Sequence, residues 1–592
     1  MPAKTDMNQI VFTNKARCRD CYRCVRVCPV KAIRMEEGQA YVDAERCINC
    51  GTCIKECPQG AKTFRNDIEK AKKLLADSEM VAVSVAPSFA AVFTKWQQKR
   101  LASALRMLGF KYIAETAVGA AYTAQATADL SRLAPEVSHV CTACPAVVSY
   151  VEKYHHGCVP ALTEISSPMV AHGRLLKDQI KNCKVVFIGP CVAKKHEAET
   201  PANKDAIDCV LTFAELKQWF DDENITLDKC EESAFDQVAT GKSLYYPLAG
   251  GSLRTAGIST DMLDENVIAI CGVNEITSSL NLIDANPEPM MIEPLFCDQG
   301  CINGPGIASE KNLFQRRQSL LEYARENATD EELVLDNPPD MSTKYEIIHT
   351  HAEDAVTEDE VLHVLQKTGK GDVASRLNCG ACGYHTCHDQ AVAVLQHMAE
   401  PEMCLPYMRR LAEQRTDRII ETSPNGIVIL DHKLRIISMN PAFQKMFHCS
   451  PSICGKMIST LIDPELFETL AASDSSKPAE KIVEYPSYNL TCHQFAYPLP
   501  EEHQYVGIFV NITNTRANQQ KLTALREKTI IQARELLDNQ TKMAQKMAEL
   551  LGQTTAQQES LVDKLMQLTR EENSNAADKG KSKCIRDIYT SM

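Results

Sequence analysis

The chain has 592 residues, more than one hydrophobic core organises, so several domains are expected. A formal net charge of −13 excludes an unspecific nucleic-acid binder, and the longest apolar run, 81–93, is too short and interrupted to span a membrane. Twenty-six cysteines exclude an ordinary cytosolic enzyme unless many of them bind metal, because disulfides are rare in reducing compartments. No positively charged segment with a following apolar stretch opens the chain, so a cytoplasmic setting is expected.

Residues 18–29 read C-R-D-C-Y-R-C-V-R-V-C-P and residues 47–58 read C-I-N-C-G-T-C-I-K-E-C-P. Each is a C-x2-C-x2-C-x3-C-P run, whose fourth cysteine is carried by the proline turn to the other cluster. The spacing resembles the bacterial two-cluster ferredoxin and implies such a domain over 8–66. Cys18, Cys21, Cys24 and Cys57 are then the ligands of one 4Fe–4S cluster, and Cys47, Cys50, Cys53 and Cys28 those of the second. Zinc has no need of two identical runs with exchanged fourth ligands. A module of this kind passes single electrons between an outside ferredoxin-type partner and an internal site. Residues 63–78 read as a polar helical connector.

Over 78–345 short apolar strands alternate with helical stretches, an α/β pattern. The runs 81–85 and 185–188 are apolar and rich in β-branched residues, as strands buried on both faces require. Each ends in a turn, Ala86-Pro87-Ser88 or Gly189-Pro190-Cys191, where open parallel sheets place their sites.

Three further segments read V-C-T-A-C-P-A (140–146), G-P-C-V-A-K-K-H-E (189–197) and E-P-L-F-C-D-Q-G-C-I-N-G-P-G (293–306). Together they resemble the signature segments of the iron-only (FeFe) hydrogenases, whose H-cluster joins a 4Fe–4S cube to a diiron unit carrying CO and CN ligands. The resemblance implies that Cys144, Cys191, Cys297 and Cys301 hold the cube, with Cys301 bridging to the diiron unit. It also implies that Lys194, with Glu197 nearby, reaches one diatomic ligand and that Pro87 and Ser88 cradle another. The departures are as informative. Ala143 stands where catalytic members carry a proton-relay cysteine, and Met169 replaces a glutamine. Gly189 and Leu295 replace two methionines, and the acidic pair of the proton path has no counterpart before Cys144. These replacements resemble the sensory branch of the family.

Residues 379–404 contain C-x2-C-x4-C-x16-C and resemble a small four-cysteine 4Fe–4S domain, here 346–408, with Cys379, Cys382, Cys387 and Cys404 as ligands. Spacing alone leaves zinc open as the alternative. His385 and His388 read as solvated or capping residues, and 389–399 as an apolar helix beneath the site. After a helix over 405–422, the segment 423–447 resembles the opening of a PAS domain, assigned to 411–516: strand, turn at Asp431, strand, then Asn440 capping a helix with Pro441 in its first turn. The strand 505–510 matches the usual PAS ending. Residues 517–570 read as a coiled-coil helix with several polar seam positions, and 571–592 as a disordered polar tail.

The expected fold is therefore multidomain, α/β and α+β. It holds four 4Fe–4S clusters and a diiron unit. The expected role is a hydrogen or redox sensor that binds or slowly turns over H2. It would form a homodimer through the PAS domain and coiled coil and signal to a separate protein such as a kinase or phosphatase. The alternative is a catalytic, ferredoxin-linked or complex-bound subunit that uses the PAS domain for docking. A third reading keeps only the cube and makes the core a scaffold.

Overall fold

The structure is a computed structural model. It describes residues 9–513, apart from residue 240 and the stretches 262–265, 286–287, 328–336, 351–355 and 473–477, together with a few positions between 529 and 543. The coiled-coil expectation over 517–570 falls almost wholly, and the tail 571–592 wholly, outside the described residues. The chain divides into two units, Met1–Cys404 and Leu405–Met592.

In the first unit the two cysteine runs lie on short helices, Arg23–Val27 and Thr52–Glu56, which bury Cys24 and Cys53. A hairpin of Ile33–Glu36 with Gln39–Val42 and an antiparallel pair of Val11–Thr13 with Lys62–Phe64 frame them. The connector is thus strand before it is helix. Residues 62–64 pair with the first strand, and the helix starts only at Ile68, running to Asp77.

The core begins with Val81–Val85, every residue of which is buried, so both faces are covered as the β-branched run predicts. It sits inside a four-stranded parallel sheet in the order Tyr112–Glu115, Val81–Val85, Lys184–Gly189, Cys209–Thr212. The helices Pro168–Gln179 and Phe213–Asp222 pack on it. Each fully buried Val, Ile, Leu or Phe of this core contributes roughly 1.5–3 kcal/mol relative to exposure. A second, three-stranded parallel sheet runs Val267–Cys271, Met291–Leu295, His139–Val140. Parallel strands send all their carboxyl ends one way, so the two sheets deliver their turns as two sets: 86–88, 116 and 189–191 from one, 141–144 and 296–301 from the other.

Farther along the first unit, the helix Glu358–Lys367 packs on Cys387–Leu395, which starts at a capping box of Thr386 and Asp389. The second unit holds Leu405–Thr422, then a five-stranded antiparallel sheet in the order Ile436–Met439, Gly426–Leu430, Gln504–Asn511, Leu490–Leu499, Ala479–Tyr485. Asp431 Oδ1 accepts the N–H groups of Lys433 and Arg435, both at 2.8 Å, and makes the expected turn. Asn440 Oδ1 accepts from Phe443 at 2.9 Å and caps Pro441–Met446. The interior of this unit is filled by the rings of Phe443, Phe447, Phe509 and Tyr485, with centroids 4.6–5.3 Å apart. His432, His448 and Cys454 stay exposed.

No described helix is long and apolar enough to cross a membrane. Of the cysteines without ligand spacing, for which burial as apolar thiols is the expectation, Cys158, Cys183, Cys209 and Cys230 are buried, whereas Cys271 and Cys449 are only half-buried.

Candidate functional site

Four sequence-distant cysteines come together where the two sheets end. Cys144 caps the helix Pro145–Tyr154, with a proline at its first position, and Cys191 follows the strand Lys184–Gly189. Cys297 follows Met291–Leu295, and Cys301 opens a short 3-10 turn with its N–H bound to Pro247 O at 2.7 Å. Burial pushes the Cys191 thiol up to about 12, and Cys144 beside it adds to the rise. Cys297 and Cys301 are driven up by burial and then by the other thiols of the same set. Crowded, buried thiols of this kind ionise only when cations share the space, which is the setting a metal cluster provides.

The ferredoxin cysteines sort in the same way. Cys24 has Cys21, Cys18 and Cys57 as neighbours, and Cys53 has Cys50, Cys28 and Cys47. Backbone N–H groups bond the sulfurs: Ala32 to Cys28 at 3.3 Å, Asn49 to Cys47 at 3.3 Å and Ala61 to Cys57 at 3.2 Å. Such bonds are one lever on cluster potential. In the third set Cys382 has Cys404 and Cys379 as neighbours, and Lys370 faces Cys404, Cys387 and Cys382. His388 lies 3.3 Å from Glu358 and so points to a carboxylate. Among the described residues, no three His, Cys, Asp or Glu side chains are placed to hold a single ion. A cubane takes one thiolate at each corner, and each of the four cysteine sets offers four thiols.

The ferredoxin domain lies against the core. Lys153 Nζ donates to the carbonyls of Glu45 at 2.6 Å and Cys47 at 3.0 Å, and Tyr154 Oη to that of Arg46 at 2.7 Å. Gly51, at φ +75°, is so close to the core that a Cβ would stand 2.5 Å from Pro305 Cγ. Cys50 counts Cys144 among its electrostatic neighbours, so the second ferredoxin set borders the core set.

Beside Cys191 and Cys301 opens a cavity lined also by Pro87, Ser88, Ala143, Met169, Phe187, Lys194, Tyr246 and Leu295. Lys194 Nζ, nearly buried, donates to Ser167 Oγ at 2.8 Å and Ala143 O at 3.2 Å. It also meets Glu197 Oε2 at 2.7 Å, an ion pair without hydrogen-bond alignment, so that oxygen keeps an open acceptor site. Ser88 Oγ is buried and has no hydrogen-bond partner among the described residues. A buried hydroxyl left this way is costly unless something bound in the cavity accepts from it. The residues present therefore fit a polar-edged group held beside the cube.

Four replaced positions acquire a physical reading. Met169 and Leu295 give the cavity an apolar wall. Gly189 does not line it, because Phe187, two residues earlier on the same face of the strand, fills the space: a Cβ at 189 would stand 2.5 Å from the Phe187 ring. Ala143 packs against a cluster of Ala120, Ala124 and Ala128, from the helix Ala117–Leu133, with Tyr246 and Ala256. Cys141, the nearest sequence candidate for a substitute relay, is packed against Leu253 and Met291 instead, and burial pushes its thiol far up.

Two groups escaped the sequence reading. Tyr246 lines the cavity and accepts a hydrogen bond from Ser252 Oγ at 3.0 Å. Glu293, in the strand that leads to Cys297, accepts the N–H groups of Ser252 at 3.1 Å and Leu253 at 2.9 Å. Complete burial lifts its carboxyl to about 7 despite those bonds. The folded state therefore binds a proton that the unfolded chain releases near 4.5. Stability from this group is complete below the unfolded value and is lost as pH rises from there through about 7, a span worth about 3 kcal/mol. Thermal unfolding followed from pH 5 to 8 is expected to lose part of its slope in Glu293→Gln. An unchanged slope would show that Glu293 is not the group responsible.

Residues 79–305 match the family described as iron only hydrogenase large subunit, C-terminal domain, and residues 17–61 a 4Fe-4S dicluster domain. Residues 376–406 match an Fe-S cluster family and 414–481 a PAS domain. The chain is 27% identical over 374 residues to iron hydrogenase 1 of Clostridium pasteurianum, covering 51% of this chain and 65% of that one. It is 40% identical over 78 residues to the cytosolic Fe-S cluster assembly factor NAR1 of Vanderwaltozyma polyspora, 13% of this chain and 15% of that one. A solved FeFe-hydrogenase of Chlamydomonas reinhardtii aligns with a TM-score of 0.40 at 18% identity, covering 48% of this chain and 100% of that one. The chain spans less than two thirds of the length of the curated relatives it matches first. It is an FeFe-hydrogenase-like, iron–sulfur protein in which a two-cluster ferredoxin domain precedes the hydrogenase domain and a PAS domain follows it.

Proposed function

We propose that this protein senses hydrogen or redox state with a hydrogenase site that binds, or slowly turns over, H2. The observation that supports the reading is Ala143 itself, a methyl group on the cavity wall where a relay thiol would stand, packed in a cluster with Ala120, Ala124, Ala128 and Tyr246. General acid–base groups within hydrogen-bond reach are worth about 10²–10⁴ in rate. A site that keeps its four thiols and Lys194 but has no such group at Ala143 is suited to occupancy and redox change more than to bulk conversion.

In this reading Cys18, Cys21, Cys24 and Cys57, then Cys28, Cys47, Cys50 and Cys53, then Cys379, Cys382, Cys387 and Cys404 hold three 4Fe–4S clusters. Cys144, Cys191, Cys297 and Cys301 hold the fourth. The diiron unit, when bound with its CO and CN ligands, supplies the centre at which H2 binds. The chain's own groups do the rest. Lys194, fixed by Ser167, the Ala143 carbonyl and Glu197, presents a cation to one side of the cavity. Ser88 Oγ donates from the loop it shares with Pro87, and Met169, Phe187 and Leu295 exclude water. A ferredoxin-type partner exchanges electrons with the N-terminal domain in a reducing cytoplasm. The PAS domain and the segment after it serve dimerisation and contact with a separate signalling protein, such as a kinase or phosphatase.

The similarity to cluster assembly factors favours one second reading, a cube-only scaffold. Against it stands the cavity with its orphan Ser88 hydroxyl, which a lone cube does not use. Infrared spectra of matured protein are expected to show metal-bound CO and CN⁻ bands that shift under H2, and a blank spectrum would leave the scaffold. Ala143→Cys is expected to raise H2 turnover about 10²-fold, the low end of the range for a single added acid–base group. An unchanged rate would mean that protons already arrive by another route and would favour the catalytic subunit.

A further inference from the structure

The four-cysteine module at 376–406 is fastened to the ferredoxin domain. Met35 N–H donates to Met398 O at 3.0 Å, Glu37 N–H to Glu400 Oε1 at 2.7 Å, and the Arg26 guanidinium to Ala381 O at 3.0 Å. Gly383 approaches Val25 so closely that a Cβ would stand 2.8 Å from its Cγ1. In this seam lies Lys31. Its Nζ donates to the carbonyls of Val25 at 3.0 Å and Arg26 at 3.2 Å on one side, and of Gly383 at 2.9 Å on the other. The residue holds φ +48°, a region that favours glycine, so the seam keeps a lysine where the backbone would prefer none. Burial loosens the Lys31 proton, while Cys28, then Cys382 and Asp389, hold it in place. One thiol of each cluster set thus faces the same ammonium.

A second cation provides the contrast. Lys370 faces Cys404, Cys387 and Cys382, all of one set. The ferredoxin set that contains Cys28 also borders the core through Cys50 and Cys144.

We propose that the Cys379–Cys382–Cys387–Cys404 site exchanges electrons directly with the Cys28–Cys47–Cys50–Cys53 site, and that Lys31 is the positioning residue whose charge both share. The proposal deepens the sensor reading and rests on its assignment of clusters to these two sets. Each transfer oxidises one cluster by one electron and reduces the other, with no proton moved. A fixed cation favours whichever cluster carries the extra negative charge, so Lys31 raises both potentials. The module that immediately precedes the helix Leu405–Thr422 then follows the electron filling of the core by way of a single ferredoxin cluster.

The test uses the full chain reconstituted with iron and sulfide, titrated redox-wise and followed by electron paramagnetic resonance, so it needs neither the diiron unit nor H2. Lys31→Gln is expected to lower the midpoints of both clusters together. Lys31→Arg, which keeps the charge, should leave both near those of the parent, and Lys370→Gln should lower only that of the Cys379–Cys404 cluster. If Lys31→Gln moves neither midpoint, or only one, with all spins present, the shared-cation proposal falls alone. If Cys379→Ser leaves the spin count of the parent unchanged, the cluster assignment falls and takes the proposal with it.

Discussion

Replacing Cys297 with alanine is expected to abolish the CO and CN⁻ infrared bands of matured protein while leaving the ferredoxin resonance signals intact. Cys297 is the thiol whose neighbours include all three other members of the core set, Cys191, Cys301 and Cys144. It sits at the end of a strand with every residue buried, so the backbone cannot swing another donor into its place. In the proposed reading Cys297 would hold one corner of the cube, and its loss would remove support for a diiron unit held beside Cys301. The ferredoxin cysteines belong to separate helices and turns and keep their own N–H···S bonds. Infrared and resonance spectra of the same sample read both halves of the expectation. Bands of undiminished intensity would remove Cys297 from the ligand set.

The second large effect concerns stability. Lys195 is completely buried between Asp67 and Glu215, with Nζ 2.8 Å from each carboxylate and 3.0 Å from Val210 O. Asp67 follows the last ferredoxin strand, while Glu215 belongs to the helix Phe213–Asp222, where it also closes a capping box with Thr212. Burial alone would raise the Asp67 carboxyl, but Arg65 and then Lys195 bring it below the usual range. Its stabilising share is therefore present above the unfolded value and disappears as pH falls. Lys195→Met leaves two buried carboxylates facing an apolar chain, a change worth about 3–5 kcal/mol in comparable buried pairs. Chemical unfolding of the variant is expected to show a loss of that order near neutral pH, and the gap to the parent is expected to narrow in acid, where the parent also loses the Asp67 contribution. A loss under about 1 kcal/mol would mean that water or Arg65 compensates the carboxylates, and the bridge would then be of little structural weight.

The features legible in the sequence are those encoded within a few residues. The β-branched runs announced strands at 81–85 and 185–188, the Asn440-Pro441 pair announced a capped helix, and the cysteine spacings announced iron–sulfur domains. Contacts between distant segments were not legible. Glu293 and Tyr246 lie 47 positions apart, and their relevance depends on Ser252, which bonds both. The Gly189 replacement looked like a lost side chain lining the site, and only the Phe187 ring explains it. The docking of the 376–406 module joins residues more than 350 positions apart in the Arg26–Ala381 bond. The connector was read as helix throughout because its polarity hid Thr63 and Phe64, which pair with the first strand.

The close approach of Gly51 to Pro305 has a consequence beyond fit. Electron tunnelling weakens exponentially with separation, so the contact between these loops sets a rate as well as a geometry. Any side chain at position 51 would have to push the ferredoxin loop outward, since its first carbon would stand 2.5 Å from the proline ring. The absence of a single methyl group there keeps the gap between the two redox compartments short.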